Sequence, residues 1–333
     1  MRISFLTETF YNNECFNSHS SSNRDNYLEH IIQLKAKFQK AGIDLSTGDI
    51  NLPDNSDAII QYGTNLNILK NTNKSKYYLI ALESPIVDTG AVNPKQHKYF
   101  NKIFTWNDEL VDNKKYFKVN DSHKFPSHVE KKYDGKNLCC TISGNKIPHY
   151  SNKNELYSKR VEFIRWFEKH HPEEFGLYGT DWNTYQFPDS FFGKIVNKMK
   201  IKRKKNIFTS YKGVIKSKNY IMKKYKFSIC YENCKGYKGY ITEKIFDSFF
   251  AGCVPIYWGA DNVDAHIPKE CFIDKRNFEN FEDVYKFIKY MSKENYFEYL
   301  KNIELFLTSN KANQFKAKNF ANVIAKEIIK DLL

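Results

Sequence analysis

The residues best suited to chemistry lie in one stretch, 227–259, where polar side chains stand between two apolar runs. The first run, Phe227 to Tyr231, predicts a buried parallel strand, and Glu232 and Asn233 follow it directly. A carboxylate and an amide at a strand end can hydrogen-bond a hydroxyl-rich group such as ribose. Ligands of open α/β sheets bind in the crevice beyond the strand ends, so this stretch predicts a ligand site.

Residues 239–244, in the middle of this stretch, predict the start of a helix with an anion bound near it. Gly239 lets the backbone take positive φ or approach a ligand closely, and Tyr240 can stack or donate its phenol proton. Thr242 is a suitable N-cap for a helix that begins near Glu243. Lys244 is unfavourable in a first helical turn unless an anion such as a diphosphate lies nearby. The alternative is a capped surface helix with a solvated lysine.

These motifs resemble the signature of glycosyltransferase family 10, the α-1,3/α-1,4-fucosyltransferases. The family has an aromatic-Glu-Asn turn, a Tyr-(Ile/Val)-Thr-Glu-Lys helix start and a strand with Pro near its beginning and Gly after its end. The matching segments here are Tyr231-Glu232-Asn233, Tyr240 to Lys244, Val254 to Gly259, Ile267-Pro268 and Phe272 to Asp274. The resemblance implies an α/β fold of GT-B type, with two Rossmann-like domains facing across a cleft and a C-terminal helix crossing back.

The resemblance also implies roles for the residues of the signature. Asn233 and Tyr240 are expected to hold the nucleoside of GDP-fucose, and Glu243 to bind hydroxyls of the fucose or ribose. Lys244 is expected to neutralise the diphosphate, and Glu232 to support the loop. The implied reaction inverts the anomeric carbon and requires no metal or other cofactor, since GDP-fucose is itself the donor substrate.

A carboxylate at the end of another predicted strand is the candidate catalytic base. The run Tyr77 to Leu82 is apolar, and Pro85 cannot continue a central ladder, so the strand should end and leave Glu83 at its C-terminal edge. A carboxylate there can take a proton from a sugar hydroxyl, although a turn acid before proline is the alternative. Family 10 enzymes are similar, with their catalytic glutamate in a Glu-Ser-Pro tripeptide, as at 83–85.

Arg160 is the candidate for a second phosphate contact. It lies on a predicted amphipathic helix, Glu155 to Lys169, which follows a predicted strand, Leu138 to Ile142. The resemblance implies an arginine near the start of this helix, and the spacing to Tyr178-Gly179, where the next strand should start, favours Arg160 over Arg165. A guanidinium can grip phosphate oxygens bidentately, whereas a solvated helix arginine is the alternative.

Length and pattern together predict two domains. A chain of 333 residues can form two cores, and short apolar runs alternate with helical patterns throughout. We place an N-terminal acceptor-binding Rossmann-like domain with the catalytic base at 1–132, and a C-terminal GDP-sugar-binding Rossmann-like domain at 133–310. A helix over 311–333 is expected to pack back on the first domain. The first domain should contain strands at Arg2 to Thr7, Asp57 to Tyr62 and Lys102 to Thr105, and a helix from Arg24 to Ala41 ending at Gly42.

Several protein classes are excluded by what the sequence lacks. No apolar run reaches the roughly 18 residues of a membrane span, and the N-terminus has no signal-peptide core, which predicts a cytoplasmic protein. Animal members of the family have an N-terminal anchor, so this chain resembles the soluble bacterial type. Its seven cysteines have no paired or zinc-binding spacing and are expected to be reduced thiols. Neither an Asp-x-Asp metal clamp nor a P-loop is present.

The net charge of +14 has a local source. Residues 194–226 contain 13 Lys or Arg and no acid. Such a stretch can be a solvated face, an anionic-membrane contact or a nucleic-acid site. We favour the membrane contact, because an enzyme that modifies a lipid-linked glycan must reach the inner membrane face; no nucleic-acid partner is expected. A basic nucleic-acid-binding protein is the alternative from another class, and it leaves Glu83 and the 240–244 segment without a role.

The predicted function therefore follows from the resemblance and the site residues together. It is transfer of L-fucose from GDP-fucose to a glycan hydroxyl, α-1,3 to a GlcNAc-type sugar of a lipopolysaccharide or related surface glycan. A different GDP-deoxysugar donor, used with the same fold and mechanism, is the close alternative.

Overall fold

The structure, a computed structural model, consists of two compact units. It describes residues 1–64, 76–148, 152–184, 199 and 208–333. The first unit contains 1–125, 238–243 and 310–333, and the second contains 126–237 and 244–309. The sequence places the breaks after residues 132 and 310, whereas the structure places them after 125 and 309 and also includes 238–243 in the first unit. Part of the basic stretch, 194–198 and 200–207, lies outside the described residues.

The described strands form two parallel sheets. In chain order the strands are β1 (Arg2–Leu6), β2 (Asp44–Thr47), β3 (Ala58–Tyr62), β4 (Lys76–Ala81), β5 (Lys102–Thr105), β6 (Tyr116–Lys118), β7 (Asn137–Ile142), β8 (Phe175–Tyr178), β9 (Tyr225–Tyr231), β10 (Val254–Trp258) and β11 (Ile273–Asp274). The first sheet has the order β2-β1-β3-β4-β5-β6, and the second has the order β11-β10-β9-β7-β8. Both are doubly wound orders, in which the direction of strand addition reverses once.

Helices connect these strands, as parallel pairing requires. They are α1 (Glu29–Lys40), α2 (Pro94–His97), α3 (Tyr157–His170), α4 (Lys218–Met222), α5 (Glu243–Phe250), α6 (Val263–His266), α7 (Phe281–Lys289), α8 (Lys293–Thr308) and α9 (Ala317–Leu332). Short 3-10 turns lie at Glu14–Phe16, Ser21–Asn26, Pro53–Asn55, Thr89–Val92, Pro172–Glu174, Lys269–Cys271, Lys275–Asn277 and Asn310–Phe315.

The first unit buries both faces of its sheet. Along β4, Tyr78 and Ile80 belong to one apolar cluster, and Tyr77 and Leu79 belong to the other. This alternation follows from the two-residue period of a strand, and it explains why β4 reads as an unbroken apolar run. The first cluster also contains apolar residues of α1 and α9, so the C-terminal helix belongs to this core.

Two predicted boundaries differ clearly from the structure. Helix α1 begins at Glu29 rather than Arg24, because the preceding Ser21–Asn26 turn contains non-helical angles, including φ of 55° at Asp25. Its end is as predicted, since Gly42 has φ of 70°, which a glycine adopts without steric cost. The Tyr178-Gly179 pair ends β8 instead of starting a strand, because the apolar residues that pair with β7 lie at 175–178.

A buried histidine makes the first unit sensitive to acid. The His30 side chain on α1 is 1% exposed, its Nε2 lies 3.1 Å from the Tyr62 hydroxyl, and its ring packs edge-on against Phe320. Burial lowers the pKa of His30 from 6.5 to about 4. The unfolded chain therefore binds more protons than the folded chain between these two pH values, and stability falls as pH falls through that window.

We expect His30→Gln to reduce this acid sensitivity. Between pH 7 and pH 5, charging of this one imidazole should cost the native protein about 2 kcal/mol of unfolding free energy. Urea unfolding at the two pH values measures the loss, which should be smaller by this amount in the variant, while the exposed His19→Gln should behave as the native chain does. An equal loss in His30→Gln would assign the acid sensitivity to other groups.

Candidate functional site

A small cavity lies where strand order reverses in the second sheet. Strands β7 and β9 are neighbours there, and β8 lies to one side and β10 to the other. The cavity lining includes Ile142, Ser143 and Tyr231 at the carboxyl ends of both strands. It also includes three cations, Arg160, Lys218 and Lys244, and the carboxylate of Asp247, which pairs with Lys218 at 2.6 Å. This is the position at which doubly wound sheets bind ligands. The structure therefore brings Arg160 and Lys244 to one cavity, and their contact with a diphosphate stays a prediction.

Arg160 has a structural role at this cavity. Its side chain is 4% exposed, and its Nη2 donates to the carbonyl oxygens of Tyr231, at 2.8 Å, and Glu232, at 3.3 Å. The guanidinium thus fixes the end of β9 to α3. Arg165, the alternative on the same helix, bonds Glu168 and lies 3.8 Å over the ring of Phe208. Of the two arginines, Arg160 lines the cavity.

Lys244 is held by a fully buried carboxylate. The Glu232 side chain is 0% exposed, and its Oε2 lies 3.4 Å from Nζ of Lys244, which is 19% exposed. Gly259 makes room for this carboxylate, because a Cβ there would lie 2.4 Å from Cγ of Glu232 and 2.5 Å from the Tyr257 hydroxyl. A larger residue at position 259 would therefore collide with the buried carboxylate.

The cavity itself is small. At about 10 Å³ it holds roughly one water, so a phosphate group needs a side chain to move. Lys244, at 19% exposure, is less enclosed than Arg160, at 4%. Ser143, which the sequence analysis missed, has a buried hydroxyl with no hydrogen-bond partner among the described residues. Its position directly after the predicted strand was the signal that could have found it.

The remaining predicted residues are distributed between the two units. Asn233, in the second unit, accepts a 3.0 Å hydrogen bond at its carbonyl from the Leu156 N–H. Tyr240 and Glu243 belong to the first unit, which also contains Glu83. The predicted roles of Asn233, Tyr240 and Glu243 in binding the donor stay predictions.

Tyr240 connects to Glu83 through a tryptophan. The Tyr240 ring is 2% exposed and packs edge-on against Trp106, with the ring centroids 4.9 Å apart. The Trp106 indole N–H donates to the Glu83 carbonyl at 3.1 Å. Gly239 permits this packing, because a Cβ there would lie 2.4 Å from the Trp106 carbonyl oxygen. Glu83 itself is exposed, and its predicted role as the base stays a prediction.

Asp121 is a second residue that the sequence analysis missed. Its Oδ2 accepts a hydrogen bond from the Glu243 N–H at 3.0 Å, so a carboxylate satisfies a free amide at the start of α5. The signal was absent from the sequence, because Asp121 lies far from the 240–244 segment along the chain.

The described residues contain neither a metal-binding cluster nor a membrane-spanning helix. Across 1–64, 76–148, 152–184, 199 and 208–333, no group of three or more His, Cys, Asp or Glu is arranged to hold a metal ion. No helix in the described part of the chain has the length and apolar character needed to cross a membrane.

We expect Lys244→Ala to lower stability as well as donor binding. It removes the counter-charge 3.4 Å from a carboxylate that has no solvent contact, and such a loss costs about 3 kcal/mol. Glu232→Gln in the Lys244→Ala background removes the buried charge and should restore much of the stability, whereas GDP affinity should remain low. Denaturant unfolding and GDP titration of the single and double variants measure the two effects separately. Equal stability of Lys244→Ala and the native chain would show that the pair contributes nothing to the fold.

Comparison with known proteins matches the C-terminal part of the chain, which contains Lys244 but not Arg160, to a family. Residues 172–326 match the sequence model of glycosyltransferase family 10 (fucosyltransferase), C-terminal part. The alpha-(1,3)-fucosyltransferase FucT of Helicobacter pylori is 35% identical over 113 residues, which cover 33% of this chain and 23% of that protein. The alpha-(1,4)-fucosyltransferase of Arabidopsis thaliana is 37% identical over 68 residues, which cover 20% of this chain and 17% of that protein. The matches therefore span less than a quarter of the length of these relatives.

Solved structures extend the likeness of fold to nearly the whole chain. A crystal structure of an alpha1,3-fucosyltransferase with GDP-fucose has a TM-score of 0.57 at 18% identity, covering 99% of this chain and 89% of that one. Anabaena HepE in complex with UDP and glucose has a TM-score of 0.56 at 8% identity, covering 99% of this chain and all of that one. The fold is thus α/β of GT-B type, with each parallel sheet forming one Rossmann-like unit. Residues 172–326 of the chain are thus similar to the C-terminal part of glycosyltransferase family 10.

Proposed function

We propose that this protein transfers L-fucose from GDP-fucose to a hydroxyl of a glycan acceptor, with inversion at the anomeric carbon. The observation that carries the proposal is the cavity at the strand-order reversal of the second sheet, where Arg160 and Lys244 meet. The match of residues 172–326 to a fucosyltransferase family model supports fucose as the transferred sugar. The similar fold of an alpha1,3-fucosyltransferase solved with GDP-fucose supports the donor.

The second unit holds the donor in this proposal. Arg160 and Lys244 at one cavity can neutralise the charge that grows on the diphosphate as the glycosidic bond breaks. Arg160 also fixes the end of β9, so its charge is in place before the donor binds. Lys244 exchanges part of its contact with Glu232 for a phosphate oxygen, and the Ser143 hydroxyl can donate to the same group.

Glu83 of the first unit acts as the general base. Its carboxylate accepts the proton of the acceptor hydroxyl while the hydroxyl oxygen forms a bond to the anomeric carbon of fucose. The bond from that carbon to the β-phosphate oxygen breaks, and its electron pair leaves with GDP. Attack opposite the leaving group gives the inverted configuration.

A GlcNAc-type sugar is the acceptor that we propose, with α-1,3 linkage. A mouse relative, 28% identical over 120 residues that cover 35% of this chain and 32% of that protein, has the name 4-galactosyl-N-acetylglucosaminide 3-alpha-L-fucosyltransferase 9. We place the acceptor in a lipopolysaccharide or related lipid-linked glycan on the cytoplasmic side of the inner membrane. The 13 cations of 194–226 support contact with an anionic membrane. If this contact exists, the protein should bind vesicles of phosphatidylglycerol, which is anionic, and should not bind vesicles of phosphatidylcholine.

We expect Glu83→Gln to lose most turnover while keeping GDP affinity, because it removes the proton acceptor and leaves the second unit unchanged. A fall of about 100-fold or more in kcat is the expected size for loss of a general base. Calorimetric titration with GDP and a coupled assay of GDP release measure the two properties. Asp54→Asn is the matched control, since this exposed carboxylate precedes β3 and therefore lies at the opposite edge of the sheet from Glu83. Near-normal turnover of Glu83→Gln would require another base.

Donor choice and metal independence are tested together. GDP-fucose and GDP should raise the melting temperature, whereas UDP-sugars should not, because the family resemblance and the neighbour with GDP-fucose both favour guanine. Turnover should persist in excess EDTA, since Arg160 and Lys244 supply positive charge at the cavity. If only another GDP-deoxysugar raised the melting temperature, that sugar nucleotide would replace GDP-fucose as the proposed donor. If EDTA abolished turnover and Mn²⁺ restored it, the reaction would depend on a metal.

A further inference from the structure

The cavity at the strand-order reversal has a third cation that the proposed function does not use. Lys218 is the first residue of α4, and it lines the cavity together with Arg160 and Lys244. All three belong to the second unit, so their arrangement is a property of that unit alone. They come from three different helices, α4, α3 and α5. The cavity thus receives positive charge from one more helix than the proposed function requires.

An aspartate from the same helix as Lys244 holds Lys218. Nζ of Lys218 lies 2.6 Å from Oδ2 of Asp247, and Asp247 also lines the cavity. Asp247 follows Lys244 by three residues on α5, so the two side chains lie on one face of that helix. A carboxylate therefore lies at the site proposed for a diphosphate, where it repels an anionic ligand. A site built only to attract phosphate would not need it.

The two lysines differ in what they leave behind when they move from their partners to a ligand. The Asp247 side chain is 17% exposed, so water can solvate its carboxylate after Lys218 has left. The Glu232 side chain is 0% exposed, so its carboxylate would lose the counter-charge of Lys244 in a place that water does not reach. Breaking a buried ion pair costs far more than breaking one with solvent contact. Of the two lysines, Lys218 can therefore leave its partner at the lower cost.

The side chain of Lys218 is suited to such an exchange. It is itself 20% exposed, and a lysine has a flexible four-carbon stem that ends in a compact charge with three donors. Arg160 lacks this freedom, because its guanidinium donates to the backbone carbonyls at the end of β9. A phosphate group can enter the cavity of about 10 Å³ only when a lining side chain moves. Movement of Lys218 away from Asp247 is the change of this kind that leaves no charge buried.

We propose that Lys218 binds the diphosphate of the donor, and that Asp247 is its partner while the site is without ligand. The identity of the ligand rests on the proposed function. When the donor binds, the ammonium group of Lys218 leaves the carboxylate and donates to a phosphate oxygen, and the carboxylate accepts hydrogen bonds from water instead. Lys218 is then a third positive group close to the charge that develops on GDP. Asp247 lowers the affinity for the diphosphate, because it competes for Lys218.

The test begins with a variant of the full chain that removes both members of the pair. Lys218→Met/Asp247→Asn removes one charge of each sign, so the net charge at the cavity does not change. Calorimetric titration should give a dissociation constant for GDP about tenfold higher than that of the native chain, as expected for loss of one charged hydrogen bond. Guanosine, which has no phosphate, should bind the variant and the native chain equally.

Asp247→Asn alone should have the opposite effect. Lys218 then no longer has to leave a carboxylate, so GDP should bind about threefold more tightly, the size expected for competition from a partly exposed ion pair. An ion pair with a structural role only would give no gain in affinity when it is broken. The direction of the change therefore separates ligand binding from support of the fold.

Lys223→Met/Glu130→Gln is the matched control. Nζ of Lys223 lies 3.6 Å from Oε2 of Glu130, Lys223 directly follows α4, and neither residue lines the cavity. This double variant also removes one charge of each sign, and it should bind GDP as the native chain does. Melting temperatures without ligand show which variants are folded. If Lys218→Met/Asp247→Asn does not fold, the GDP affinity of Asp247→Asn decides.

Two outcomes overturn the proposal. One is a folded Lys218→Met/Asp247→Asn variant with the GDP affinity of the native chain, since the two charges then only cancel each other. The other is an Asp247→Asn variant that binds GDP no more tightly than the native chain. Absence of GDP binding to the native chain would overturn the proposed function, and the role of Lys218 with it. A native chain that binds GDP with variants that change nothing would overturn the role of Lys218 alone.

Discussion

One buried carboxylate, Glu232, constrains the whole ligand-binding end of the second sheet. A charge with no solvent contact is tolerated only when an opposite charge and hydrogen bonds surround it. Lys244 supplies the opposite charge from α5, and Arg160 on α3 holds the carbonyl groups of residues 231 and 232. These contacts join α3, β9 and α5 at the point where strand order reverses. The geometry of the proposed phosphate site is therefore fixed by the same interactions that keep the carboxylate buried.

Such an arrangement suits a reaction in which negative charge develops on a leaving diphosphate. Positive groups that are already oriented cost no reorganisation when the charge appears, and they act most strongly away from bulk water. Arg160 is almost completely buried and is bonded to the backbone, whereas Lys244 keeps some exposure and one ion-pair partner. The first cation thus provides a fixed field.

Much of the architecture was predictable because apolar runs in the sequence are also the segments that the fold buries. The apolar runs of β4 and β9 are buried, and Gly42 ends α1 with positive φ. The strand Asp44–Thr47 was missed, because its two hydroxyl residues are buried by pairing with β1 rather than by their own hydrophobicity. Spacing along the chain favoured Arg160 over Arg165. The structural reason that Arg165 does not line the cavity is its contact with Glu168 and Phe208, which the sequence does not reveal. The packing of Tyr240 on Trp106 could not be read at all, since the two residues are distant in sequence.

The first unit is built from segments near both ends of the chain, and this affects how the chain can fold during synthesis. Its core joins α1 to Phe320, Ile324 and Ile328 of α9, and nearly all of the second unit lies between these segments along the chain. On the ribosome, the apolar face of α1 must therefore wait, uncovered, until α9 emerges. The second unit is almost continuous and can close its core earlier. Chaperone demand should thus concentrate on the amino-terminal half, although that half is made first.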